Sequence, residues 1–242
     1  MVHLIRVNGL LLFGLVGLTV VCFWPVGSLG FIRLDDYDYV CNNPVVRSGI
    51  NGHSVFWAFT AACASNWHPV TWLSHMCDCD LFKLDAHAAH WENLGFHLAN
   101  TALLFLWLWL VTRARWRSFF VAGLFALHPL HVESVAWIAE RKDVLSGFFF
   151  LLVLLAYTHY SRHKTTWNYL LVFALFLLGL MAKPMLVSVP IVLLLLLDVW
   201  PLSRLDFPLE TVPCRMASAV ARENPVCFCE PRLLPADVVG AE

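Results

Sequence analysis

The chain has 242 residues, of which 60% are hydrophobic and only 14% charged, with a formal net charge of -1. A mean hydropathy of +0.69 excludes an ordinary soluble domain, because so much apolar surface cannot be hidden from water in a fold of this size. The balanced charge, with no basic block and interleaved aromatics, excludes nucleic acid as a partner held by its phosphates.

From about Val7 to Val26 the chain is uncharged for roughly 20 residues, enough at 1.5 Å per residue to cross a hydrocarbon core of about 30 Å. Arg6 before this run, and Gly27, Ser28 and Gly30 after it, invite comparison with a cleaved signal peptide. The run is longer than a usual signal core and lacks an A-x-A ending, which favours a retained span. Further spans read as about Asn93 to Val111, Ser118 to Ala139, Val144 to Tyr160, Trp167 to Ala182 and Met185 to Trp200. The expected fold is therefore an all-α membrane protein of about six transmembrane helices. Trp and Tyr recur near the ends of these runs, where amphipathic rings favour the lipid headgroup zone.

Arg113, Arg115 and Arg117 lie between the second and third spans, and Arg162 and Lys164 between the fourth and fifth. The positive-inside rule puts those loops in the cytoplasm, together with Arg6 and the amino terminus. Segment 27–92 then faces outward, and it carries seven acids against three bases. Pro129 falls in the third span and predicts a kink, or a short span followed by an outer loop. Residues 203–242, rich in proline and without an apolar run of spanning length, read as a poorly ordered cytoplasmic tail after a transmembrane domain at 1–202. Cys227 and Cys229 in that tail lack the partners of a metal motif. Cys41, Cys63, Cys77 and Cys79 lie in the outer segment, where a disulfide is permitted.

Three groups of polar residues could carry chemistry. Asp35, Asp36 and Asp38 follow the first span closely, so three carboxylates are held near the outer membrane surface, where mutual repulsion raises a pKa or recruits a cation. His90, Asn93, His97 and Asn100 are spaced three, four and three apart, which puts them on one stripe of a helix, and His87 extends it by a turn. Such a stripe faces the protein interior or a water-filled cavity, as interhelical glue or as a site. The densest cluster is His128, His131 and Glu133, continued by Glu140, Arg141, Lys142 and Asp143. So many ionisable groups at a membrane mouth are expensive to desolvate and point to function. On a continuous helix Glu133, Trp137 and Glu140 would share a face. The pairs His87–His90 and His128–His131 lack the adjacent His-His boxes of membrane di-iron enzymes and lie on the opposite side of the membrane.

Leu34-Asp35-Asp36, the run from Trp67 to His75, His87 to Asn93 with His97, the stretch from Phe125 to Ser146, and Met181-Ala-Lys-Pro-Met185 with Leu197 to Leu202 resemble the membrane portion of the O-mannosyltransferase-like family that carries carboxy-terminal tetratricopeptide repeats. The resemblance spans about residues 1–205, and its most specific part is Ala126-Leu-His-Pro-Leu-His-Val-Glu-Ser134 through Arg141-Lys-Asp143. It implies a GT-C-like bundle: a multi-pass glycosyltransferase of the bacterial inner membrane or the endoplasmic reticulum membrane. Such an enzyme moves a sugar, mannose by analogy, from a polyprenyl-phosphate donor to a protein or glycan hydroxyl on the non-cytoplasmic side. Two departures stand out. Family members usually show a His-His pair where this chain reads Ala89-His90, and the repeats are absent, which reads as a partial module.

On this reading Asp35, Asp36, Glu133 and Glu140 are the candidate catalytic carboxylates, with Asp35 or Asp36 as general base toward the acceptor. His131, Arg141, Lys142, His90 and His97 are the candidates for binding donor phosphate and substrate. Asp35, Asp36 and Asp143 are the candidate ligands for a divalent metal. The alternative is a non-catalytic membrane scaffold or transporter-like subunit that keeps the fold without transfer.

Overall fold

The computed structural model describes residues 2–62 and 66–191, and every secondary-structure element among them is helical. Helix α1 runs over Val2–Phe23 and continues through a tight turn at Trp24–Ser28, started by Pro25 in the first-turn position where its missing N–H costs nothing. Three segments are long and apolar enough to cross a membrane: Gly9–Ser28, Ala86–Thr112 and Ile138–Arg162, with mean hydropathies of 2.2, 1.7 and 1.6. A fourth apolar helix, Thr166–Ala182, is shorter. The chain is thus an all-α membrane protein.

The central helix, α5, spans Ala86–Thr112 and begins well before Asn93, where its apolar run starts. The Asp85 carboxylate starts it by accepting the His87 backbone N–H at 2.9 Å. Arg113 ends it in the left-handed conformation at φ 58°. The basic stretch Arg113–Arg117 therefore forms the tight corner into α6, Arg115–Ala126.

The third span expected over Ser118 to Ala139 is not continuous. Helix α6 is 12 residues long, about 18 Å at 1.5 Å per residue. It stops at Leu127, because Pro129 can neither donate in a helix nor tolerate a helical residue before it. A short α7 (His131–Ala136) and a single turn at Ile138–Glu140 lead into α8, Arg141–Arg162. Glu133, Trp137 and Glu140 therefore do not share one helix face: Trp137 is extended, at φ -104° and ψ 119°, and breaks the helix between them.

Helix α9 (Thr166–Ala182) lies beside α8, and Gly179 lets it come close. A Cβ there would sit 3.1 Å from the Phe149 Cβ and run into Leu186. Beyond Ala182 the chain makes a turn at Pro184–Ser188 and a short helical stretch, Val189–Ile191. Most of the expected span Met185 to Trp200, and the whole of 203–242, lie outside the described residues.

Segment 27–92 is not an open loop. It holds α2 (Pro44–Arg47), α3 (Gly52–Thr60) and α4 (Pro69–Phe82), each started by a local device. The Asn43 side chain caps α2 by accepting from Val45 and Val46 N–H, Asn51 and Ser54 form a capping box on α3, and Pro69 opens α4. Tyr39, Val46, Ala58, Trp72, Met76 and Ile138 pack into one core beneath these helices. The Thr71 hydroxyl donates to the Ala182 carbonyl at 3.0 Å, which fixes the start of α4 on the end of α9. The indoles of Trp24 and Trp91 stand 5.2 Å apart, so the ends of α1 and α9 and the starts of α5 and α8 gather at one end of the bundle. The same end carries the acidic segment.

Candidate functional site at the end of the bundle

Four members of the polar stripe of α5, His90, Asn93, His97 and Asn100, are buried while His87 is exposed, and each turns to a backbone carbonyl, in all but Asn100 at or beside a break between helices. His97 Nε2 lies 2.9 Å from the carbonyl of Ala126, the last residue of α6. Asn93 Nδ2 donates to Trp137 O at 3.1 Å and Val135 O at 3.5 Å, at the end of α7. Asn100 donates to Val144 O at 2.8 Å. His90 Nε2 lies 3.4 Å from Gly30 O, and His87 Nδ1 lies 2.8 Å from Gly27 O, both just past α1. A discontinuous helix in lipid leaves carbonyls that water does not reach, and this stripe satisfies them. The stripe seen in the sequence is therefore glue first, and two of its members, His97 and Asn100, also line a cavity.

Arg141 opens α8 and is completely buried. Its Nε–H donates to Asn93 Oδ1 at 2.8 Å, Nη1 to Ser74 Oγ at 3.0 Å and to the Asp78 carboxylate, and Nη2 to Ala89 O at 3.1 Å. Glu92 Oε2 stands 3.1 Å from Nη1. The guanidinium thus ties α4, α5 and α8 together, and its donors are spent inside the protein. Asp78, Glu92 and Ser74 are absent from the candidates read in the sequence. The available signal was Asp78 itself, a lone acid closing a long uncharged stretch. His75, fully buried one helical turn away, is held neutral by burial, with Arg141 and Lys142 adding to the effect.

Asp36 is buried as well. Its two oxygens accept the backbone N–H groups of Ile32 at 2.9 Å and Ala139 at 2.8 Å, so the first acidic segment is stitched to the turn before α8. Burial pushes its carboxyl up against the opposing pull of those two bonds. Its neighbour Asp35 is only half-buried and within electrostatic reach of Asp36, Tyr39 and Lys142.

Beside them lies an array of opposite charges. Lys142 Nζ is 2.7 Å from Glu140 Oε1 and stands 5.1 Å over the Tyr39 ring. Lys183 pairs with Asp143 and lies 3.9 Å from Glu140 Oε2, while the Ser134 hydroxyl donates to Asp143 at 3.3 Å. This array borders a cavity of about 390 Å³ whose polar wall includes His97, Asn100, His131, Ser134, Asp143 and Ser188. The His131 ring lies 4.4 Å from Phe125 and 5.3 Å from His97, tilted against both. Glu133 is exposed.

The metal candidates do not form a ligand set. Asp36 spends both oxygens on backbone N–H groups and Asp143 is engaged by Lys183 and Ser134. Among the described residues no three His, Cys, Asp or Glu side chains converge as ligands. Cys41, Cys77 and Cys79 are free thiols, and Cys63 lies outside the described residues.

Comparison with known proteins bears on this arrangement. The human protein O-mannosyl-transferase TMTC3 is 27% identical over 151 residues, which is 60% of this chain and 16% of that protein. The Drosophila melanogaster protein O-mannosyl-transferase Tmtc1 is 29% identical over 147 residues, 58% of this chain and 15% of its own. Human protein O-mannosyl-transferase TMTC1 is 30% identical over 152 residues, 59% of this chain and 17% of its own. The chain resembles this O-mannosyl-transferase family. It spans about one sixth of the length of the curated relatives it matches. No protein-family model and no solved structure matches it.

Proposed function

We propose that this chain is a multi-pass, glycosyltransferase-type membrane module that handles a polyprenyl-phosphate sugar, with mannose the sugar of choice, at the non-cytoplasmic end of the bundle. The observation that carries this reading is the juxtaposition of half-buried Asp35, the cations Lys142 and Lys183, and the 390 Å³ cavity at one end of apolar helices. The relatives' names supply the class of reaction. Arg113 to Arg117 and Arg162 to Lys164 lie on the opposite, cytoplasmic side.

An acceptor hydroxyl is a weak nucleophile at its own pKa, and Asp35 takes its proton as the oxygen bonds to the anomeric carbon. The bond from that carbon to the phosphate oxygen breaks, and the lipid phosphate leaves with the electron pair. Its charge is met by Lys142 and Lys183, which exchange Glu140 and Asp143 for the phosphate. Asp36 and Arg141 are positioning residues in this scheme. Asp36 holds Asp35 against the start of α8, and Arg141 holds that start in place so that Lys142 faces the array.

The test is binding and transfer with the purified chain in lipid nanodiscs, using polyprenyl-phosphate mannose and a serine- and threonine-containing peptide. Donor binding that falls on Lys142→Gln with Lys183→Gln, and transfer that Asp35→Asn abolishes, are the expected results. Donor binding indifferent to both lysines overturns the reading.

A further inference from the structure

From residue 48 to residue 77 the chain contains no Asp, Glu, Lys or Arg, although this stretch lies in an otherwise acidic segment. A surface facing only water rarely dispenses with charge over such a length, and one meeting an apolar phase must. Helix α3 lies in the middle of it. Ser54 and Ala58 turn into the protein, while Phe56 and Phe59, three residues apart and so on one face, stand 68% and 43% exposed. Trp67 is 44% exposed, and its indole Nε1 donates to Phe59 O at 3.0 Å, which joins it to the same patch.

The height of the patch is fixed from below. Trp67 lies two residues before the start of α4, and Thr71 in the first turn of α4 is bonded to Ala182, the last residue of the apolar helix α9, which presents Leu170, Leu171, Phe173 and Leu177 outward. The aromatic face therefore lies where an apolar helix leaves the hydrocarbon, the level at which Trp and Phe rings are favoured. We infer that α3 and Trp67 form an interfacial membrane-binding face, with Phe56, Phe59 and Trp67 immersed among the lipid headgroups and upper acyl chains of the outer leaflet. This contact holds the segment carrying Asp35 and Asp36 down against the membrane. It depends on the orientation of the bundle and not on sugar transfer.

Full-length chain in nanodiscs of phosphatidylcholine doped with a phospholipid bearing a diazirine near the carbonyl end of its acyl chain provides the test. After photolysis, mass spectrometry should find carbene adducts on Phe56, Phe59 and Trp67 at yields comparable with those on Trp167 and Leu170 of α9. The Phe56→Asp, Phe59→Asp double variant should lower adducts at Trp67 about tenfold and leave those on α9 unchanged, because a charge cannot stay in the apolar layer. Absence of lipid adducts from the three aromatics of the unmodified chain, with labelling there by a water-soluble carbene instead, overturns the inference. So do cross-links at Phe56 that join two copies of the chain in place of lipid. The unmodified chain decides the matter even if the double variant does not fold.

Discussion

The Asp36 carboxylate accepts the backbone N–H of Ala139, 103 residues further along the chain, at 2.8 Å. With the second bond, to Ile32, it satisfies two donors on either side of the site. Asp36→Ala leaves both without an acceptor, at a cost of about 1–3 kcal/mol for the buried Ala139 N–H and less for the Ile32 N–H, which water can reach. The unfolding midpoint of the purified chain in detergent should fall accordingly. Asp36→Asn should recover part of the loss, since its amide oxygen replaces one acceptor and its NH2 opposes the other donor.

Removing the Arg141 guanidinium is expected to be more damaging. Arg141→Met strands the buried Asp78 carboxylate without its cation, a change worth about 3–5 kcal/mol. Arg141→Lys should rescue little, because one ammonium cannot reach Asn93, Ser74, Asp78 and Ala89 together. The Asp78→Asn, Arg141→Met double variant should be less unstable than the sum of the single variants, as measured by a double-mutant cycle.

A pH dependence follows from His68. Burial, with Lys142 and Lys183 nearby and only partly offset by Asp143, lowers its pKa from 6.5 to about 4. The unfolded chain therefore binds more protons than the folded one between those values. The stabilising contribution is complete above pH 6.5 and is lost as pH falls toward 4, by up to about 3 kcal/mol. The stability difference between the natural chain and His68→Gln, followed from pH 7 to pH 4, should shrink over that window. A flat difference would contradict the shift.

Asn93 offers a prediction that separates glue from chemistry. Asn93→Leu removes the donor to Trp137 O and leaves the buried Arg141 Nε–H without its acceptor, which should cost about 1–3 kcal/mol, while donor binding by the folded fraction is retained. His131→Gln, on the cavity wall, should do the reverse and weaken donor binding with little change in the unfolding midpoint.

The sequence made some of this legible and hid the rest for physical reasons. The spacing of His90, Asn93, His97 and Asn100 gave away one buried face because helical periodicity is local. Pro129 signalled the break in the third span for the same reason. The partners of that stripe could not be read, since a backbone carbonyl freed by a helix break carries no side-chain mark. Arg141 stood out as a charge at a membrane mouth, which favoured phosphate over anchorage. Its actual partners, Asp78 and Ser74, are 63 and 67 residues away and become neighbours only when α4 folds back over α5. Helices α3 and α4 escaped notice because, at 9 and 14 residues, both are too short to read as spans, although Pro69 and the Asn51–Ser54 box mark their starts.

The carbonyls satisfied by the α5 stripe also impose an order on how the chain is made. During synthesis α5 leaves the ribosome before α6, α7 and the start of α8, so the imidazole and amide groups that the broken segment needs are already in the bilayer when it arrives. Delivered in the opposite order, the free carbonyls of Ala126 and Val135 would meet hydrocarbon with nothing to bond. A circular rearrangement of the same sequence that places α5 last would give up the hydrogen bonds of the corner between α5 and α6 and bring the broken segment into the bilayer ahead of the groups that satisfy it, so it is expected to insert less efficiently.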